Sequence, residues 1–203
     1  MIRQTGNEWG LATKLIHWST AVLIVGNIAI GVYLGRILLF ANTAHHGRWL
    51  FMMNQHKTIG LIVFLFVPLR AAWTFVNPRP GLHSGMSKPH RIAAKISVAS
   101  LYMAMLCVPL MGLLLSSYAH AEFKLFGILD LTSPVARNLP VMATFRTLHQ
   151  VSAYVLLALV CTHAGGALTH HFILRDEVLR RMAFGKRTNS PDVKESGPGP
   201  FFR

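Results

Sequence analysis

The chain has 203 residues, of which 52% are hydrophobic and only 13% charged, yet its formal net charge is +13. Soluble domains carry about 25% charged residues, so this composition excludes an ordinary soluble enzyme. It points instead to an all-α chain of membrane-spanning helices.

Residues 1–13 form a short polar lead, with Thr13 placed to cap the first helix. Leu15–Gly35 has only His17 as an ionisable group, which predicts helix 1 over about 14–39. That segment is longer than a signal-peptide core and no small-residue cleavage site follows it, so it is expected to be a permanent span. A short outer connection with His45, His46 and Trp49 leads to helix 2 over about 55–76, whose apolar stretch Thr58–Asn77 is broken only by Arg70. Asn77-Pro78-Arg79-Pro80-Gly81 ends that helix, because Pro disfavours helical geometry in the residue before it. A loop holding His83 leads to helix 3 over about 90–118, where Pro109 predicts a kink. The next loop is the longest, and Phe123, Leu125, Phe126, Ile128 and Leu129 make it apolar enough to lie on the protein or the membrane surface. Helix 4 covers about 145–173, and a Pro- and Gly-rich tail over 188–203 is expected to be disordered. Residues 1–187 thus form one up-down-up-down four-helix bundle, with cofactor sites in its core.

The basic excess reports topology rather than a nucleic-acid partner. With four spans, 14 of the 20 Lys and Arg residues fall on the side of the two termini. The other side has only Arg36, Arg48, Lys57, Lys124, Arg137 and Arg146. Lys and Arg gather in cytoplasmic loops, so both termini are expected to be cytoplasmic.

Four histidines inside the spans carry the functional signal, since ionisable groups in a bilayer are costly and mark functional pathways. His149 and His163 both lie on helix 4, almost four helical turns from each other. At about 100° and 1.5 Å per residue they share one face within roughly 40° and lie about 21 Å apart in depth. Depth pairs His17 with His163 near the inner surface and His56 with His149 near the outer one. Each pair comes from two helices, as bis-axial ligation of a haem requires. The two haems would be non-covalent, because no C-x-x-C-H motif is present. Two pairs so far apart cannot converge on one zinc ion. A proton relay would want carboxylates among the histidines, and all seven acidic residues lie outside the apolar spans.

Neighbouring residues fit the same geometry. Gly60 lies one turn from His56 and leaves room for a porphyrin edge. Gly31 follows His17 by the spacing that separates the two helix 4 histidines, so it faces the core near the outer pair. Arg70 follows His56 by that same spacing, which brings it to the inner pair's depth and suits a haem propionate. His170 follows His163 by two turns and could meet the inner propionates or a quinone head group. His90 and His120 bracket helix 3 as substitute ligands, and His171 lies one step off the ligand face. Cys107 and Cys161 read as small buried hydrophobes. The four tryptophans serve equally as interfacial anchors or electron conduits.

The motifs Leu15-Ile-His-Trp18, His56-Lys-Thr-Ile-Gly60, Leu148-His-Gln-Val-Ser-Ala-Tyr154, Thr162-His-Ala-Gly-Gly-Ala-Leu-Thr-His-His-Phe172 and Arg175-Asp-Glu-Val-Leu-Arg-Arg-Met182 together resemble the bacterial cytochrome b561 family. The resemblance covers about residues 10–187. It implies two b haems on His17, His56, His149 and His163, Arg70 as the helix 2 arginine, and a multi-pass protein of the bacterial inner membrane. The chain looks most like the short stand-alone members, which include a superoxide:ubiquinone oxidoreductase type. That likeness implies superoxide as outer donor, with Lys57, Arg48 and Arg146 attracting the anion, and ubiquinone as acceptor. The alternative is a haem-bearing anchor that passes electrons between quinol and a separate dehydrogenase or soluble cytochrome docked on the apolar outer loop.

Overall fold

Residues 9–40, 46–77, 88–175 and 178–183 are described by the computed structural model. Four long helices dominate: α1 (Leu11–Phe40), α2 (His46–Val76), α3 (Lys88–Tyr118) and α4 (Leu139–Phe172). Between α3 and α4 lies a small antiparallel hairpin, β1 (Lys124–Leu125) and β2 (Leu129–Asp130), and a short α5 (Val178–Met182) follows α4. Spans of 26, 30, 31 and 34 residues on the four long helices are apolar enough to cross a membrane. A bilayer core needs only about 20 residues, so the helices project beyond it. The fold is the all-α membrane bundle expected.

Two helix starts differ from the sequence expectation. α2 begins at His46 rather than near residue 55, because Arg48-Trp-Leu-Phe-Met-Met contains good helix formers and no proline. His46 therefore belongs to a helix and not to the outer loop; His45 and His83 lie outside the described residues, as does the 188–203 tail. α4 begins at Leu139 rather than near 145. Asn138 caps it by accepting from the Val141 amide at 3.2 Å, and Pro140 sits in the first turn, where its missing N–H costs nothing. Thr13 is no cap: it is buried inside α1, where its hydroxyl accepts from Trp73 Nε1 at 3.0 Å. That bond ties the start of α1 to the end of α2. Asn77 closes α2 with its amide and side chain, both donating to the Trp73 carbonyl.

The core is a single layer across mid-bundle. Ile24, Val63, Met105 and Leu156, one from each long helix, are all buried, with Val67 beside them. Leu34 and Phe123 are buried elsewhere, while many large side chains face outward, as Phe75 at 82% and Val22 at 69% exposure illustrate. Such an inside-out distribution suits a lipid environment, where burial among protein atoms is not what keeps apolar groups from water.

The outer loop is ordered. Leu125-Phe126-Gly127-Ile128 closes with an Ile128 amide to Leu125 carbonyl bond of 3.1 Å. Its two central residues have φ of 54° and 75°, the signs of a type I′ turn, which glycine adopts at little cost. Asn54 on α2 clamps the hairpin: its Nδ2 donates to the Lys124 carbonyl at 2.5 Å and its Oδ1 accepts the Lys124 amide at 2.9 Å. Thr132 at the base donates to Asp130 and holds its carboxyl below the usual range. Phe123 is the buried anchor, while Phe126 and Ile128 at the tip are 65% and 87% exposed. Asn54→Ala removes both clamps, a loss of roughly 1–2 kcal/mol in local stability. Hydrogen exchange in a 119–132 peptide is then expected to accelerate about ten-fold or more, with the spans unchanged.

Candidate haem site

Each functional layer lies seven residues from the core layer, two helical turns away on nearly the same face. Seven residues from Ile24, Val63, Met105 and Leu156 towards the hairpin end of the bundle are Gly31, His56, Gly112 and His149, the layer expected to be outer. Seven residues towards the other end on α1, α2 and α4 are His17, Arg70 and His163, the layer expected to be inner.

In the outer layer the rings of His56 and His149 have centroids 6.0 Å apart and planes at 83°. His56 Nδ1 donates to the Asn27 carbonyl at 3.2 Å, and His149 Nδ1 donates to the Val108 carbonyl at 2.9 Å. These carbonyls fix both rings with Nδ1 protonated and Nε2 free to act as a ligand, the usual second partner of a metal-binding imidazole. Two glycines complete the cradle. A Cβ at Gly31 would stand 3.1 Å from His56 Cε1, and one at Gly112 would stand 3.0 Å from His149 Cε1. The arrangement repeats on the two helix pairs: a ring from the neighbour packs on a glycine and bonds the carbonyl four residues before it.

The inner layer is built differently. His17 and His163 have centroids 6.4 Å apart and planes at 52°. Arg70 Nη2 donates to His17 Nδ1 at 2.8 Å and its guanidinium lies 5.7 Å from the Tyr102 ring. His17 is half-buried and His163 exposed. His170 sits half-buried two turns beyond His163, in the last turn of α4.

Both separations suit a bis-imidazole haem. Two imidazoles that bind one iron from opposite faces, each through a bond of about 2 Å, have ring centres about 6 Å apart. The donor set, two imidazoles per centre with no third ligand, is what haem takes and zinc does not; His17 would bind iron through Nε2 only with Nδ1 protonated, so Arg70 would then leave Nδ1 and turn to a propionate. Among the described residues no group of three or more His, Cys, Asp or Glu converges on a metal site.

The remaining candidates fall elsewhere. Gly60 faces the Asn27 side chain, whose Nδ2 would lie 3.5 Å from an added Cβ, rather than open space for a porphyrin edge. His120 meets the Val135 carbonyl at 3.2 Å on the surface, and His90 is exposed on α3. Cys161 is exposed rather than buried, which places it on the lipid side of α4. Trp18 and Trp73 tie helix ends through their ring N–H groups. Lys57 is half-buried: its Nζ donates to the Glu122 carbonyl at 2.8 Å and lies 5.8 Å from the Phe123 ring, while Arg48 and Arg146 are exposed. Asn27, Val108 and Gly112 are the residues that sequence reasoning missed.

Comparisons with known proteins agree with this arrangement. The family model described as prokaryotic cytochrome b561 matches residues 8–185. The chain is 27% identical over 190 residues to cytochrome b561 homolog 2 of Escherichia coli (strain K12), covering 93% of this chain and 97% of that one. It is 25% identical over 176 residues to cytochrome b561 homolog 1 of the same organism, covering 87% and 97%. The family implies b-type haem and electron transfer within a membrane. With four spans, two layers of facing imidazoles and a match over most of its length, the chain belongs to the prokaryotic cytochrome b561 family.

Proposed function

We propose that this protein carries electrons across the bacterial inner membrane through two non-covalent b haems, from superoxide on the outer side to ubiquinone in the membrane. The observation that carries the reading is the pair of imidazole couples, with ring centroids 6.0 and 6.4 Å apart. Their α4 members, His149 and His163, stand almost four helical turns from each other. When bound, a bis-imidazole haem supplies one-electron chemistry with no open position for oxygen. His17 and His163 hold the inner group, and His56 and His149 the outer one. The Asn27 and Val108 carbonyls keep the outer rings oriented. Arg70 and His170 serve the inner propionates, with His170 also available to a quinone head group. The distribution of Lys and Arg supports both termini being cytoplasmic.

Lys57, next to His56 in sequence, attracts an anionic donor, with Arg48 and Arg146 adding to the outer field. The test is rapid mixing of the haem-loaded protein with superoxide, then with ubiquinone. Reduction of the haems followed by reoxidation is expected; failure of both steps contradicts the proposal. Lys57→Gln is expected to slow the superoxide step by roughly three-fold at low ionic strength and to flatten its salt dependence. Reduction by an uncharged reductant should not change.

One observation favours a second reading. The clamped hairpin exposes Phe126, Ile128 and Leu129, a surface suited to a protein redox partner. In that case superoxide does not reduce the haems, exchange with quinol is kept, and deletion of the hairpin tip abolishes electron transfer with the partner.

A further inference from the structure

At the end of the bundle where α1 begins and α4 ends, a recess of about 320 Å³ is lined by His171, Phe172, Arg175 and Arg180. Its floor is anchored to the rest of the fold. Lys14 Nζ donates to the Ala183 carbonyl at 2.9 Å and Trp18 Nε1 to the Met182 carbonyl at 3.0 Å, so α5 is held under α1. Arg175 turns the chain out of α4 in left-handed backbone, with φ of 52°. His171 packs edge-on against the Phe172 ring, with centroids 4.8 Å apart. Its Nδ1 is buried and has no hydrogen-bond partner among the described residues, an unsatisfied polar atom of a kind that native proteins seldom leave.

Charge and position say what such a recess takes. Arginine pairs bidentately with phosphate, and the imidazole adds a donor. Among the described residues the carboxylates, Glu122 and Asp130, both lie at the opposite end of the bundle. Asp176 and Glu177, which follow Arg175 in sequence, lie outside the described residues. Phe172, Ile173 and Leu174 beside the recess are all exposed, continuing the lipid-facing surface of α4. The cationic lining therefore stands where water meets lipid, as basic headgroup sites between membrane helices do.

We propose that this recess binds the phosphate headgroup of an anionic glycerophospholipid, with Arg175, Arg180 and His171 on the phosphate and Phe172 against the acyl chain. A lipid held there would brace α5 against α1 and α4, next to the inner histidine layer. The experiment is native mass spectrometry of the delipidated, haem-loaded protein offered equal phosphatidylglycerol and phosphatidylcholine. Wild type is expected to prefer phosphatidylglycerol by on the order of ten-fold. The Arg175→Gln/Arg180→Gln double variant should lose that preference, and Arg137→Gln, at the other end of the molecule, should keep it. Retained Soret absorbance shows that a variant is folded; if the double variant is not, the wild-type competition alone decides. Equal binding of the two lipids by wild type, or an unchanged preference in a folded double variant, overturns the proposal. So does displacement of the lipid by millimolar inorganic phosphate, which would make the recess a site for soluble anions.

Discussion

Gly112→Leu is expected to halve the haem content by removing the outer haem and sparing the inner one. A Cβ at this position would stand 3.0 Å from His149 Cε1 and 3.1 Å from its Nδ1, tighter than nearly all real side-chain contacts. The ring has no easy retreat, because the Val108 carbonyl holds it at 2.9 Å and Gly112 belongs to the same helix as Val108. A displacement of about 1 Å is large against an iron–nitrogen bond of about 2 Å. His17 and His163 lie two layers away and keep their separation. The expected result is one haem per chain by pyridine haemochrome, with a single potential in redox titration. Gly31→Leu should reproduce it through His56, where the added Cβ would meet the ring at 3.1 Å. Gly112→Ala is a milder form, in which the ring must give by a few tenths of an ångström and outer haem binds with lowered affinity.

Arg70→Leu is expected to lower the potential of the inner haem: the guanidinium stands beside His17, 2.8 Å from its Nδ1, and a fixed positive charge there disfavours the oxidised, more positive iron. At an effective dielectric of about 20 and a separation of roughly 6–8 Å, the Coulomb term is about 2 kcal/mol, or on the order of 100 mV for one electron. Removing the charge stabilises the oxidised form, so the potential falls by up to that amount. The outer potential should move far less, since its histidines lie about 21 Å away in depth. Arg70→Lys keeps the charge but not the fork, so it restores much of the potential without restoring a bidentate contact to a propionate. A spectroelectrochemical titration that resolves both haems measures this, and a shift of the outer potential alone would contradict it.

The spans and the histidine layers are legible because both depend on spacing. Four helical turns return nearly to the same face, so His149 and His163 announce two depths, and Arg70 and Gly31 follow by counting from His56 and His17. Gly112 escapes the same count because α3 has no histidine at either layer to count from. The Asn27 and Val108 carbonyls that orient the outer rings are main-chain atoms, which no side-chain pattern encodes. The α2 and α4 starts are misplaced because His46, Gly47, Arg48 and Asn54 interrupt the apolar run ahead of helix 2, and Pro140 and Thr144 that ahead of helix 4. Local signals are present all the same: Leu-Phe-Met-Met as helix formers, and Asn138-Leu-Pro140 as cap and first turn. The hairpin clamp is not legible, since it joins Asn54 to Lys124 across a wide gap in the sequence.

The central claim is that two haems sit in separate layers, each held by one pair of histidines from different helices. Haem content and reduced-minus-oxidised spectra of His17→Ala and His56→Ala test it most directly. Each variant should keep half the haem of wild type, with His17→Ala losing the component sensitive to Arg70 and His56→Ala losing the other. Full haem content in both variants, or loss of the same spectral component from both, would contradict the pairing.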